Sequence, residues 1–177
     1  MLTVGRIHEL FASLNEELRR RQVLGEAYLA GGAVMCLVFQ AREATKDIDA
    51  MLVPSSEMHA AAGVVAASED LPNDWLNDAV KGFFSERGIF EAFEEFSNLR
   101  IYVPQPGYLL AMKCLALRIG DEFHDLSDVG VLVRALKLRT VAEAEAILGQ
   151  YYDLGRYPAK ARYLLEELLP GADGAGG

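Results

Sequence analysis

The sequence predicts an α/β protein in which a mixed β-sheet of about four strands is flanked by helices and followed by a helical C-terminal half. Three observations support this fold class. Short apolar runs alternate with helical patterns in the N-terminal part, turn residues separate them, and helical periodicity runs through the chain after Pro106. The 177 residues are 51% hydrophobic, so we expect one domain over residues 1–170, with the sheet in 1–105 and the helices in 106–170.

The N-terminal pattern predicts a helix, a strand, a tight turn, a second helix and a second strand. Apolar residues recur at helical spacing in the first segment, and the first strand is a short apolar run that stops at Gly31 and Gly32. The second strand alternates polar and apolar residues at its start and is then wholly apolar until Pro54. The helices cover about 3–21 and 33–40, and the strands cover about 27–30 and 47–53.

Further helices and a hairpin are predicted after Pro54. The hairpin follows from two β-type runs, although the Glu-rich link between them could extend a helix instead. A glycine-rich tail over 171–177 is predicted to be disordered. The elements are a helix over 57–67 capped by Ser55 or Ser56, a helix capped by Asn73 or Asp74 that runs to Lys81, strands over 89–93 and 99–103, and helices over 107–119, 121–138, 141–152 and 159–169.

Composition and charge exclude several classes of protein. The 26 acidic and 17 basic residues give a formal net charge of −9, which opposes binding to an extended DNA backbone but leaves a short nucleic-acid end open. No apolar stretch is long enough to span a membrane and the N-terminus lacks a signal-peptide pattern, so we expect a cytoplasmic protein. Cys36 and Cys114 lie in apolar helical patterns without metal-ligand spacing and are interpreted as buried, reduced thiols.

The first candidate site is the turn at Gly31 and Gly32. Consecutive glycines permit positive φ and let a ligand approach the backbone closely, and the helix that follows offers unpaired N–H groups to a phosphate. Two glycines at a strand end also occur simply as a tight turn, and the spacing fits neither the Walker P-loop nor the dinucleotide fingerprint.

The second candidate site is the pair Asp47 and Asp49. Strand alternation places both carboxylates on one face, about 7 Å apart between alternate Cα atoms, with Ile48 directed into the core. Paired hard oxygen ligands suit Mg²⁺ in a phosphoryl or nucleotidyl transfer. The alternative is an exposed strand edge with two solvated aspartates.

Together the two sites form the ordered pattern GGx₉RxxTxDxD, which runs from Gly31 through Arg42 and Thr45 to Asp49. This pattern resembles the nucleotidyltransferase fold superfamily, and most closely the AbiEii-like minimal nucleotidyltransferases that act as toxins of bacterial toxin–antitoxin pairs. The resemblance implies an enzyme that moves NMP from an NTP, with Mg²⁺ or Mn²⁺, to a hydroxyl of a tRNA 3′ end or a protein, and a cognate antitoxin as partner. It implies phosphate binding by Gly31 and Gly32, a site shaped by Arg42 and Thr45, and metal binding by Asp47 and Asp49.

Lys113 places a cation on an otherwise apolar helix face. A buried ammonium is costly without an anionic partner, although a lysine can also extend its head group to solvent. AbiEii-like proteins have a lysine in a similar LLxxKxxAxR context, and the resemblance implies a nucleotide-contacting or catalytic role for Lys113 and for Arg118.

Asp121, Asp125 and Asp128 follow at i, i+4 and i+7 and form one carboxylate stripe. The general expectation for such a stripe is a solvated helix face, opposite a core-facing side that holds Leu126 and Val129. The family carries a DxxD segment after the lysine helix, and the resemblance makes Asp125 a candidate acid or base, or a partner of Lys113.

One feature departs from the family pattern. Many polymerase-type members carry a third metal-binding carboxylate on a later strand, but the strand over 99–103 has none, which puts a second metal in doubt. Glu91, Glu94 or Glu95 could substitute for this third carboxylate, and the alternative is that all three are solvated glutamates without a metal. The alternatives to a tRNA- or protein-modifying enzyme are therefore a catalytically silent interaction protein and an antibiotic-modifying type of small-molecule nucleotidyltransferase. No histidine has ligand spacing, and Trp75 is interpreted as a core or lid anchor.

Overall fold

The structure is a computed structural model that describes residues 1–118, 120, 124–169 and 171. It is a mixed α/β fold, as the sequence predicts. The chain divides into two compact units. The first contains residues 1–82 and 90–104, and the second contains residues 83–89 together with the chain from Gln105 onward.

The first unit holds the sheet and three helices. Its strands are β1 (Leu2–Thr3), β2 (Gly25–Ala30), β3 (Ala44–Thr45), β4 (Ile48–Val53), β5 (Leu76–Asn77), β6 (Phe90–Glu95) and β7 (Leu99–Pro104). Its helices are α1 (Val4–Arg20), α2 (Gly31–Leu37) and α3 (Ser55–Ser68), and a 3₁₀ helix follows β5 over Ala79–Phe83.

Five strands form one mixed sheet in the order β5-β4-β2-β7-β6. β2 is antiparallel to β4 and parallel to β7, β5 is parallel to β4, and β6 is antiparallel to β7. β1 and β3 form a separate two-stranded antiparallel sheet. Among the described residues the main sheet therefore has one strand more than the four that the sequence predicts.

Alternation along the strands gives the main sheet two different faces. One face consists of fully buried apolar residues of β2, β4 and β7, against which α1 and α3 pack. The other, which we call the second face, carries half-buried side chains. According to the strand register, the half-buried residues of the second face include Asn77, Asp49, Met51, Tyr28, Tyr102 and Phe90.

The N-terminal helix forms as its apolar periodicity predicts. Thr3 is its N-cap and accepts a hydrogen bond from the backbone N–H of Arg6. At the other end, exposed arginines pair with Glu16 and Glu17 within the same helix. The basic run at 19–21 is therefore a solvated helix end.

Of the predictions for the segment from Pro54 to the hairpin, one is confirmed and two are wrong. The hairpin forms, with a bulge between Ala92 and Glu94, so the Glu-rich link does not extend a helix. The helix predicted to run to Lys81 is wrong, because this segment contains β5 and the 3₁₀ helix. No serine caps α3, since its N-cap is Pro54 and no side chain makes a capping hydrogen bond.

The second unit consists of four helices in its described part: α4 (Pro106–Leu115), α5 (Asp125–Ala135), α6 (Val141–Tyr151) and α7 (Ala159–Leu168). A 3₁₀ turn over Leu154–Arg156 precedes α7. α4 and α5 are shorter than predicted. The predicted helix ends at Ile119 and Asp121, and the predicted disordered tail beyond Gly171, lie outside the described residues.

Tyrosines attach segment 83–89 to the helices of the second unit. The hydroxyl of Tyr108 accepts a hydrogen bond of 2.8 Å from the backbone N–H of Ser85, and Tyr152 donates to the carbonyl of Phe83. The ring of Tyr108 also fills the space beside Gly88 where a Cβ would lie. This explains why 83–89 belongs with the C-terminal helices although it precedes β6.

Candidate functional site

The turn between β2 and α2 contains Gly31, which has a φ of +63°. A Cβ added to Gly31 would lie 2.7 Å from Oδ2 of Asp49. Any side chain here would therefore combine left-handed backbone strain with a collision against the carboxylate. α2, which begins at this residue, is only seven residues long.

Gly32 makes a second close approach possible. A Cβ on Gly32 would lie 2.6 Å from Oγ1 of Thr45 and 3.1 Å from Nη1 of Arg42. The turn, Arg42, Thr45 and Asp49 therefore lie together in the first unit, although up to 18 positions separate them in the chain. The missing Cβ of Gly31 thus leaves room for the side chain of Asp49, and that of Gly32 leaves room for Thr45 and Arg42.

Asp47 and Asp49 flank the buried Ile48, and both are half-buried. Alternation along β4 places Asp49 on the second face of the sheet, and Asp47 directly precedes the strand. The hydroxyl of Thr45 donates a 3.2 Å hydrogen bond to the carbonyl oxygen of Asp47, which fixes the backbone just before β4 begins. Because β4 lies between β2 and β5, Asp49 has a register partner on each side: Ala30 on β2 and Asn77 on β5.

The donor set of this region fits a hard cation that keeps several other oxygen ligands. The region has two half-buried carboxylates, and the residues that the structure describes contain no cluster of three or more histidine, cysteine or acidic side chains placed to hold a metal. Mg²⁺ is commonly bound by one or two carboxylates, with water and substrate phosphates completing its coordination. Asp47 and Asp49 are therefore compatible with Mg²⁺ bound together with a phosphate ligand.

Lys113, Arg118 and Asp125 lie in the second unit and form a cluster of their own with Asp128. The Lys113 ammonium is 3.1 Å from Oδ1 of Asp125 and 2.7 Å from Oδ2 of Asp128. The Lys113 side chain is only 10% exposed, and those of Asp125 and Asp128 are 5% and 2% exposed. The lysine is thus buried with two carboxylates and does not extend its head group to solvent.

This arrangement corrects the expectation of a solvated aspartate stripe. Asp125 and Asp128 are buried, and Leu126, expected to face the core, is 39% exposed. Val129 is fully buried as expected. Asp125 and Asp128 are buried because Lys113 on α4 supplies a compensating positive charge to both carboxylates. Asp121, the third member of the stripe, lies outside the described residues.

Arg118 completes the cluster from a more exposed position. Its Nε donates a 3.0 Å hydrogen bond to Oδ2 of Asp125, and its backbone N–H donates to the same oxygen. Burial by itself would raise the pKa of Asp125, but the hydrogen bond from Arg118 and the charge of Lys113 outweigh it and lower the pKa. Asp125 is therefore a partner of Lys113, and its role as acid or base stays a prediction.

The remaining sequence candidates have ordinary partners. Glu94 lies 2.8 Å from His8 and Glu95 lies 3.2 Å from Arg100, on one edge of the sheet. Trp75 is 1% exposed, and its indole N–H donates a 3.0 Å hydrogen bond to the carbonyl of Ala62. Trp75 is thus a core anchor.

Sequence analysis missed the side chains that surround Asp49 on the second face. Asn77 pairs with Asp49 because β5 runs beside β4, and Tyr28 lies on β2 two residues before Ala30. The alternation of buried and half-buried residues in β2 was the signal available for Tyr28. β5 has only two residues, and no sequence pattern marks it.

Comparisons of this chain with protein-family models, curated proteins and solved structures found no match. Within the described residues, none of the helices has the length and apolar character needed to cross a membrane.

Proposed function

We propose that this protein is a metal-dependent nucleotidyltransferase that moves NMP from an NTP to an acceptor hydroxyl. One observation carries the proposal: the Asp49 carboxylate lies against Gly31, while Thr45 and Arg42 lie against Gly32. A glycine turn, a cation and a pair of carboxylates therefore occur together on one unit. This combination of groups suits a triphosphate with its metal ion.

Each residue has a defined part in substrate binding. Asp47 and Asp49 hold Mg²⁺ or Mn²⁺ through their carboxylate oxygens. The Arg42 guanidinium, a planar donor suited to phosphate oxygens, binds the triphosphate beside the glycine turn. Thr45 positions Asp47 through its hydrogen bond to the Asp47 carbonyl.

The reaction is an in-line displacement at the α-phosphorus. The acceptor oxygen bonds to that phosphorus, the bond to the bridging oxygen breaks, and pyrophosphate leaves with the electron pair while the hydroxyl proton passes to water. The metal ion, when bound, neutralises charge on the phosphate oxygens. Asp47 and Asp49 would hold that ion and through it position the phosphates, and Arg42 stabilises the charge that develops on the leaving group.

The acceptor and the partner follow from the sequence resemblance and not from the geometry. An AbiEii-like enzyme would modify a tRNA 3′ end or a protein hydroxyl and would be neutralised by an antitoxin. The net charge of −9 favours a basic partner protein. In this proposal Lys113 and Asp125 stabilise the second unit through their ion pairs.

A catalytically silent interaction protein is the second candidate. β7 carries no carboxylate, and the described residues contain no group of three or more histidine, cysteine or acidic side chains that could hold a metal. A protein of this kind would keep the glycine and aspartate geometry without turnover.

The deciding experiment incubates the purified chain with each α-labelled NTP, Mg²⁺ or Mn²⁺, total tRNA and cell protein. We expect label transfer to one acceptor class, and its loss in the double variant Asp47→Asn/Asp49→Asn. Transfer that survives the double change would refute the metal-binding assignment. If no acceptor is labelled and no NTP raises the melting temperature, the silent candidate is correct.

A matched control is the variant Asp74→Asn. Asp74 is an exposed aspartate of the same unit, and its substitution removes one negative charge outside the pattern, the same change that Asp47→Asn or Asp49→Asn makes alone. We expect this variant to transfer label as the wild type does. Equal loss in the control would show that activity responds to net charge and not to the two carboxylates.

A further inference from the structure

We infer that Tyr28 and Tyr102 form a platform on which the nucleobase of the bound nucleotide stacks. The inference rests on the proposed function, because it places the base relative to phosphates held near Asp49. It adds a recognition element that the glycine and aspartate pattern does not contain.

The strand register puts the platform beside the phosphate site. Tyr28 pairs with Met51 and Ala30 pairs with Asp49, so Tyr28 is the diagonal neighbour of Asp49 on the second face. Diagonal neighbours on antiparallel strands have Cα atoms about 7–8 Å apart, within reach of aromatic side chains. The ribose of a nucleotide separates its base from its phosphates by a similar span, so the base falls over the tyrosines.

The two rings already form a stacked pair. The centroids of Tyr28 and Tyr102 lie 4.7 Å apart, and the ring planes differ by 9°. Phe90 contacts Tyr28 in a T-shaped arrangement at 5.1 Å. Both tyrosines are half-buried and lie on the face that carries Asp49, so neither residue is closed off from solvent.

Tyr28 is held in a fixed orientation. Its hydroxyl donates a 2.7 Å hydrogen bond to Oε2 of Glu26. Burial, reinforced by this hydrogen bond, raises the pKa of Tyr28 to about 12. The ring is thus neutral and preorganised at physiological pH, so a base that stacks on it loses little further conformational freedom.

Stacking defines the class of ligand. Every nucleobase has a π-face, and contact with aromatic side chains is tolerant of base identity. We therefore expect all four NTPs to bind through the platform, with purines favoured by their larger ring area.

The test compares ATP with ribose 5-triphosphate, which keeps the sugar and phosphates but lacks the base. Binding of each ligand to the full chain is measured by calorimetry with Mg²⁺. We expect the wild type to bind ATP at least about tenfold more tightly, the scale of one base–aromatic stack. Tyr28→Leu and Tyr102→Leu should each reduce this ratio toward one and leave the affinity for ribose 5-triphosphate unchanged.

Two controls separate stacking from a structural role. Tyr102→Phe keeps the ring, so it should keep the preference for ATP, and Tyr163→Leu makes the same change at a tyrosine that is 68% exposed in the second unit. A platform that only packs the fold would reduce binding of both ligands equally. Should the leucine variants fail to fold, nuclear Overhauser effects between adenine and tyrosine ring protons in the wild type provide the test, and their absence overturns the inference.

The outcomes distinguish the inference from the function on which it rests. Equal affinity of the wild type for the two ligands overturns the platform alone and leaves phosphate and metal binding intact. Failure of the wild type to bind either ligand overturns the proposed function and the platform with it. A preference for ATP that persists in both leucine variants assigns the base to another surface.

Discussion

The carboxylate of Asp49 occupies the space that a side chain on Gly31 would need, because a Cβ at that position would lie 2.7 Å from Oδ2. The glycine turn and the aspartate strand are therefore one structural unit. A side chain at position 31 would displace that of Asp49, and this contact also limits where a phosphate could approach the turn.

Gly31→Ala is expected to disturb both stability and ligand binding. The positive φ of Gly31 costs an L-residue about 1–2 kcal/mol, and the methyl group must also displace Asp49. We expect a loss of stability of at least this size in urea unfolding and the loss of metal-dependent NTP binding. A variant with wild-type stability and binding would show that the contact with Asp49 has no consequence.

Gly63→Ala is the matched control for this substitution. Gly63 lies inside α3, and a Cβ there would meet no atom within 4 Å. Alanine should therefore raise the free energy of unfolding by about 0.5–1 kcal/mol through helix propensity, without an effect on NTP binding. The two variants thus predict stability changes of opposite sign for the same chemical change.

Lys113→Met tests whether the buried lysine is structural. It would leave Asp125 and Asp128 buried without the ammonium, and breaking a buried ion pair in this way costs about 3–5 kcal/mol. Urea unfolding of the variant should show this loss, whereas Lys160→Met, at an exposed position of α7, should change little. A stable Lys113→Met protein that has lost NTP binding would instead support the ligand role that the sequence resemblance implies.

The Lys113 cluster illustrates how far sequence reasoning reaches. The apolar helix face around Lys113 indicated that a buried ammonium would need an anionic partner, and Asp125 was one candidate. The burial of Asp128 was not predictable, since an aspartate stripe on a helix is normally solvated. Only the packing of α4 against α5, a tertiary relationship, brings the compensating charge to it.

The first unit shows the same division between local and tertiary information. Alternation around Ile48 predicted the strand that carries Asp49, because burial on one face imposes a period of two on the sequence. β5 could not be predicted, since Leu76 and Asn77 form a strand only through pairing with β4. The closeness of Arg42 to Gly32 likewise depends on how the chain after α2 returns to the turn.

Acidification should weaken the fold through Asp125. The pKa of Asp125 is lowered in the folded protein, so the unfolded chain binds its proton at a higher pH than the folded chain does. The stabilisation that ionised Asp125 contributes is thus fully present above the pKa of the unfolded chain, about 3.9, and is lost as the pH falls through the lower pKa of the folded protein. Asp125→Asn should be less stable at neutral pH and should show a smaller loss on acidification than Asp74→Asn. Identical slopes for the two variants would contradict this assignment.

The two cysteines should be unreactive in the folded protein. Cys36 and Cys114 are both fully buried, and burial raises the pKa of Cys114 to about 12. Since the thiolate is the reactive species, a disulfide reagent at pH 8 should modify neither thiol in buffer and both in urea. In Cys36→Ala, one thiol should react in urea and none in buffer. Rapid modification of that variant in buffer would mean that α4 opens locally, which its packing against α5 and α6 argues against.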